Sequence, residues 1–203
     1  MTVLRSVEEL EELYGRPKGG AVFKEIPFLN AHYRAFIEAS PFVVLASAGP
    51  GGLDCSPKGD APGFVRVLDK STLAIPDRPG NNRIDTLRNL VVDPRLALLF
   101  LVPSRSETLR VNGCAVVSTD AELLASFTVE GKAPRSVIRV TVESAYVHCA
   151  KAFMRSKLWE RAAKGERPDL PSMGEMMALL SQNSVDAAVY DRDAPERLKA
   201  TLY

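Results

Sequence analysis

The sequence predicts an α+β chain that is mainly β: an antiparallel barrel of six or seven strands with a helical extension at each end. Three observations carry this expectation. Residues 137–147 alternate Ile138, Val140 and Val142 with Arg139, Thr141 and Glu143, the period of a half-buried strand. Short apolar runs upstream are separated by tight-turn chemistry, strongest at Gly49-Pro50-Gly51-Gly52. Between residues 42 and 148 only two helices fit, whereas a doubly wound sheet needs one after nearly every strand.

In chain order, Ser6 reads as a helix N-cap with Glu9 completing a capping box, and Gly15 as the stop. Val7, Leu10 and Tyr14 share one face of that helix, which would dock it as an appendage. Residues 16–20 read as loop, and a second helix occupies about 30–39, before Ser40-Pro41. Residues 42–47 and 53–58 form a hairpin, and 64–68 with 72–75 another about Asp69-Lys70. Residues 82–92 read as a helix closed by Asp93-Pro94, and 95–102 as a buried strand. Asn112-Gly113 marks a turn between strands at 108–111 and 115–118, and a short helix covers 121–127. Beyond Ala150 the pattern is helical at 151–161, 172–181 and 184–202, with a Pro/Gly-rich linker at 165–171. The expected division is an N-terminal extension (1–40), a barrel (41–149) and a C-terminal extension (150–203) packed on the barrel or on a partner.

Composition narrows the function. With 26 Lys+Arg against 25 Asp+Glu the formal net charge is +1, which argues against a general nucleic-acid binder. At 46% hydrophobic and 25% charged, the chain is not expected to be disordered. Its longest apolar runs, such as 96–102, reach about a third of a membrane span. Acidic residues from Glu8 onward leave no signal-peptide core. A soluble cytoplasmic protein with no membrane partner is expected. Cys55, Cys114 and Cys149 are odd in number and widely spaced, so they read as reduced thiols. Two histidines and no Cys/His cluster at ligand spacing give no metal site to expect.

The segment richest in chemistry runs from Leu73 to Leu90. A strand stops at Pro76, a loop with Pro79, Gly80, Asn81 and Asn82 follows, and a helix is expected to carry Arg83 in its first turn. A cation is misplaced at the positive end of a helix unless an anion sits there. Arg suits a multi-donor grip on phosphate oxygens, and Asn81 and Asn82 add donors. The alternative from these residues alone is a capping Asn beside a solvated Arg83. A second constellation lies downstream. Were 150–160 one helix, Lys151, Arg155 and Trp159 would fall at i, i+4 and i+8, a stripe suited to an anionic aromatic ligand or simply to solvent and core.

The order strand, hairpin, strand, Asn-rich loop, helix, Asp-Pro, buried strand resembles the flavin-binding split barrels related to pyridoxamine 5′-phosphate oxidase. Phe64-Val-Arg-Val-Leu68 and Thr72-Leu-Ala-Ile-Pro-Asp77 look like the family's flavin-contacting strands. Gly80-Asn-Asn-Arg83 stands where the family grips phosphate, and Asn89-Leu-Val-Val-Asp-Pro-Arg-Leu-Ala-Leu-Leu-Phe100 is similar to its helix exit and next strand. Thr108-Leu-Arg-Val-Asn-Gly113 resembles a further strand motif. Ser56-Pro-Lys-Gly-Asp60 and the stretch from His148 to Trp159 look like a longer subgroup of flavin-dependent enzymes, extending the resemblance over nearly the whole chain.

The resemblance implies an FMN-binding split barrel, a Greek-key barrel of six or seven strands, working as a homodimer with flavin at the subunit interface. It implies that Asn81, Asn82 and Arg83 hold the FMN phosphate, that Ile75, Pro76 and Asp77 flank the ring, and that Lys58 reaches its pyrimidine side. Arg110 joins the site, with Lys151, Arg155, Ser156 and Trp159 reaching it from the partner. Asp60 reads as a substrate-side polar group or, preferred, a simple turn former, and Arg66 as the exposed residue of its strand or merely a surface charge. The expected function is an FMN-dependent oxidoreductase acting on a small molecule. The oxidase's own C-terminal strand, with its substrate-gripping Arg and Trp, has no counterpart here, so pyridoxamine phosphate is not the expected substrate. The alternatives are a flavin-storage or sensor module without turnover, or a split barrel using a deazaflavin or haem.

Overall fold

Seven antiparallel strands form a single sheet. In the computed structural model, which describes residues 3–203, β1 (Phe42–Gly49) and β2 (Gly52–Gly59) make one hairpin, and β3 (Arg66–Val67) and β4 (Thr72–Pro76) a second. Three longer strands complete it: β5 (Arg95–Leu101), β6 (Thr108–Ser118) and β7 (Val137–His148). Their order is β2-β1-β5-β6-β7-β4-β3, so the first and second hairpins lie at opposite edges. The α+β split-barrel expectation holds.

Alternation builds the core. Val43 and Leu45, Leu98 and Phe100, Leu109 and Val111, and Ile138 and Val140 all point inward and are at most 1% exposed. Each such side chain contributes roughly 1.5–3 kcal/mol by leaving water. The helix α3 (Ala31–Ala39), capped by Asn30, adds Ile37 to the same core. The helix α4 (Asp85–Val92) adds Leu90 and lies against β1, where Asn89 donates to Ser47 Oγ at 3.2 Å.

Several elements depart from expectation. β6 is one continuous strand; Asn112-Gly113 is not a turn but lies opposite a bulge in β7, where Glu143 is the extra residue between Val142 and Ser144. A Cβ at Gly113 would overlap the Thr141 carbonyl oxygen, so the glycine serves close backbone approach rather than chain reversal. β3 pairs only two residues, because Phe64 and Val65 turn into the core before the ladder begins. The helix α1 (Val7–Tyr14) has its Ser6 cap, but Val7, Leu10 and Tyr14 are 64%, 45% and 79% exposed, so the stripe docks on nothing among the described residues. Residues 16–19 form the expected loop, and a single turn, α2 (Gly20–Phe23), follows in a stretch for which no element was expected.

The segment expected as one helix after Ala150 is two: α6 (Lys151–Ser156) and α7 (Leu158–Ala163). Lys157 between them has φ +52°, a left-handed conformation that ends the first helix and rotates the second. A short α5 (Ala121–Ser126) precedes β7. Last come α8 (Met173–Leu180), with a Ser172/Glu175 capping box, and α9 (Ala187–Ala200), which pack on each other. Gly174 lets them close: Asp191 accepts from its N–H at 2.8 Å, and a Cβ there would strike Ala187. Among the described residues, no helix is long and apolar enough to cross a membrane.

Candidate functional site

At the open side of the sheet, β2 has no partner beyond β1, so its inward side chains line a gap instead of a core. Asp54, Ser56 and Lys58 stand opposite Ser47, Leu45 and Val43 and share their inward face. Across the gap, the chain leaving β4 supplies Asp77 and Arg78. Between them lies a cleft of about 680 Å³, floored by the loop into α4 and bordered by residues 132–136 and Tyr203. That volume lies in the range of cofactor pockets.

Two ion pairs span the gap. Lys58 Nζ lies 3.0 Å from Asp77 Oδ1, both side chains about four-fifths buried. Arg78 Nε donates to Asp60 Oδ2 at 2.8 Å, and the Asp60 side chain is only 4% exposed. Asp60 is therefore no mere turn former. The Tyr203 hydroxyl donates to its other oxygen at 2.7 Å, and Arg78 Nη1 donates to the Phe127 carbonyl at 3.0 Å. Burial pushes the Asp60 carboxyl up, but Tyr203, the Ala61 N–H and Arg78 outweigh it and hold it below the usual carboxylate range. Behind Lys58, the Thr86 hydroxyl donates to Asp54 at 2.7 Å, tying α4 to β2.

The loop into α4 differs from the expected helix start. Asn82 and Ile84 take φ +57° and +54°, so α4 begins at Asp85 and Arg83 precedes it. A β-branched residue at positive φ is strained, and such strain concentrates at functional loops. Arg83 N–H donates to Asn81 Oδ1 at 3.1 Å, while its side chain, 71% exposed, pairs with Asp85 at 2.7 Å. Asp85 also raises the Arg83 pKa, chiefly through that hydrogen bond, so the guanidinium stays charged. Five basic side chains line the cleft, Lys58, Arg78, Arg83, Lys132 and Arg135, against Asp77 and Asp85. The balance favours an anionic ligand.

Of the sequence-derived candidates, Lys58, Asp77, Asn81, Asn82 and Arg83 meet in this cleft. Ile75 and Pro76 are buried in the β4–β7 ladder, and neither side chain lines it. Arg110, Lys151, Arg155, Ser156 and Trp159 lie outside it. The kink at Lys157 breaks the expected Lys151–Arg155–Trp159 stripe; Trp159 stacks on Phe153 and donates to the Arg105 carbonyl at 2.7 Å. Arg66 is exposed, as expected, with its guanidinium carbon 4.2 Å from the Phe127 ring centroid. Sequence reasoning missed Arg78, Thr86, Lys132, Arg135 and Tyr203. Arg78 directly follows a residue already singled out; nothing local marks the others.

Residues 29–149 match the family model described as pyridoxamine 5′-phosphate oxidase. Among solved structures, the chain is similar to HupZ of Group A Streptococcus (16% identity, 58% of this chain and 91% of that one, TM-score 0.48). It is also similar to a candidate pyridoxamine 5′-phosphate oxidase of Lactobacillus delbrueckii (22%, 60% and 95%, TM-score 0.47). A third is an FAD-binding protein of Mesorhizobium loti (17%, 60% and 97%, TM-score 0.40). No curated protein sequence matches the chain significantly.

Proposed function

The chain belongs to the pyridoxamine 5′-phosphate oxidase family, and from that premise we propose that it is an FMN-dependent oxidoreductase acting on a small molecule. The observation that carries the reading is the cleft, whose basic excess and strained Asn81-Asn82-Arg83 loop sit beside the end of β4. Successive N–H groups around residues of positive φ make a concave donor surface suited to phosphate. Arg83 extends from that loop with exposed donors, and Asn81 and Asn82 are exposed beside it. These residues fit the FMN phosphate. Lys58 faces the cleft from the opposite wall, where a cation would stabilise negative charge on the ring. β3 ends opposite Ala74, so the backbone of Ile75 and Pro76 has no strand on that side and is the edge a ring would lie along.

Bound there, flavin would supply hydride or electron transfer, with the protein giving orientation and electrostatics. Neither His32 nor His148 lines the cleft, so a haem placed there would find no imidazole ligand in this chain.

The functional unit in this reading is a homodimer. Its support is apolar surface that the single chain leaves uncovered: Val7 and Tyr14 on α1, and Leu179 and Leu180, 79% and 78% exposed, on α8. Lys151 and Arg155 are exposed and would reach flavin only from the second copy. Absorption spectroscopy of the purified protein tests the cofactor: a flavin spectrum is expected, or its appearance on adding FMN. A colourless protein that takes up no FMN sinks the proposal. Sedimentation as a monomer with flavin bound would remove the shared site.

A further inference from the structure

The hairpin of α8 and α9 stands apart from the core. Neither hydrophobic cluster takes a side chain from beyond Ala145. The two helices pack on each other, closed by the contacts of Ser172 and Gly174 to Asp191. Only Gly174 is buried in α8, and no residue is buried in α9. Helices in proteins are held chiefly by the apolar face they bury, and this pair buries almost none against the barrel.

One residue joins the hairpin to the barrel. Among the described residues, every hydrogen bond between residues 167–203 and the rest of the chain is made by Tyr203. Its hydroxyl donates to Asp60 at 2.7 Å, and its ring centroid lies 5.3 Å from the Arg78 guanidinium carbon. Its backbone oxygen accepts from Lys132 Nζ at 2.9 Å. Asp60 follows β2, Arg78 follows β4 and Lys132 precedes β7, so Tyr203 is fastened to three separate parts of the barrel. Arg78, Lys132 and Tyr203 all line the cleft.

The three contacts are not equally firm. Asp60 and Arg78 hold each other, the first also accepting from the Ala61 N–H and the second donating to the Phe127 carbonyl. Lys132 is exposed, has no carboxylate partner among the described residues and directs its charge at one backbone oxygen. A phosphate in the cleft would offer that ammonium group a charged partner with several acceptor oxygens, which is the stronger contact. Tyr203 and a cleft anion therefore compete for Lys132.

We propose that Tyr203 is a releasable latch: it docks the α8–α9 hairpin on the rim of the cleft, and an oxyanion entering the cleft takes Lys132 and frees the hairpin. The latch rests on the flavin reading in one respect, that the cleft receives an anion, and it adds that cleft occupancy governs α8 and α9. Such coupling is reciprocal, so whatever loosens the latch favours the anion by the same factor.

Hydrogen–deuterium exchange of the full chain, read peptide by peptide, follows the hairpin directly. Without ligand, Tyr203→Ala should speed exchange across α8 and α9 about fivefold or more. Unchanged protection of β5, β6 and β7 shows that the barrel remains folded. Tyr203→Phe, which keeps the ring beside Arg78 and loses only the hydroxyl, should fall between the two. In the wild type, inorganic pyrophosphate, balanced against sodium chloride at constant ionic strength, should speed exchange in α8 and α9 saturably. It should add little in Tyr203→Ala, where the latch is already open. FMN affinity, followed by quenching of its fluorescence, should rise about fivefold or more in Tyr203→Ala. FMN that binds without altering exchange in α8 and α9 overturns the latch and leaves the flavin reading standing. A protein that binds no FMN overturns the flavin reading, and the pyrophosphate response alone then decides the latch. Pyrophosphate that slows exchange in the hairpin or leaves it unchanged overturns the proposal, as does wild-type exchange in Tyr203→Ala.

Discussion

Lys58 Nζ stands 3.0 Å from Asp77 Oδ1, an ion pair thrown across the gap between the free edge of β2 and the end of β4. It holds the two sides of the cleft at a fixed separation and presents a cation to it. Lys58→Met would leave Asp77 largely buried without its partner, at a cost of about 1–3 kcal/mol. The urea midpoint should fall accordingly. Adding Asp77→Asn should restore most of the stability, since the uncompensated charge is gone, but not FMN affinity. Recovery of both would reduce Lys58 to a structural strut.

Arg83 is the separable residue of the site. Its side chain is 71% exposed and meets only Asp85, so Arg83→Ala should leave the unfolding transition unchanged. Losing a charge-assisted phosphate contact should weaken FMN binding by roughly 1.5–3 kcal/mol, about ten- to a hundredfold. Fluorescence titration with FMN measures it, and riboflavin, which lacks the phosphate, should bind both proteins equally. Wild-type affinity for FMN in the variant would return Arg83 to solvent.

The strands were legible wherever alternation coincided with turn chemistry. β1, β2, β5 and β7 fall within two residues of the sequence expectation because Val, Ile and Leu recur at period two between Gly- and Pro-rich breaks. Asn112-Gly113 misled because the same dipeptide that suits a two-residue turn also supplies the side-chain-free position needed where β6 closes on the bulged β7 strand. The break at Lys157 was invisible, since lysine carries no composition signal for positive φ. In the site, Lys58 and Arg83 stood out through local context. Asp60, Arg78 and Tyr203 did not, because the contact that joins Asp60 to Tyr203 spans 143 residues.

Gly113 is held against its neighbour on β7 by the bulge itself. Alanine at a turn of left-handed residues would cost modestly, but here its Cβ meets the Thr141 carbonyl, backbone that cannot swing aside. Gly113→Ala should destabilise by roughly 3 kcal/mol or more. Gly51→Ala, where a Cβ meets nothing within 4 Å, is the control and should lie within about 1 kcal/mol of wild type. Equal midpoints for the two variants would mean that β6 is not continuous through the bulge.

The Asp60–Arg78–Tyr203 cluster ties stability to acid. Asp60 has a folded-state pKa below its unfolded value of about 3.9. Its contribution is therefore complete above that value and is lost as pH falls through the depressed folded value. Asp60→Asn strands Arg78, whose side chain is 14% exposed, and should cost about 2–4 kcal/mol at neutral pH. Because protonation does to the wild type what the amide does to the variant, the difference between them should narrow as pH drops below about 4. Tyr203→Phe, which removes one donor and no charge, should cost less and still narrow, since that donor helps depress the carboxyl. Urea unfolding of all three proteins at neutral and at acid pH measures the gaps. A gap between wild type and Asp60→Asn that stays constant with pH would mean that Asp60 is not held ionised by this cluster.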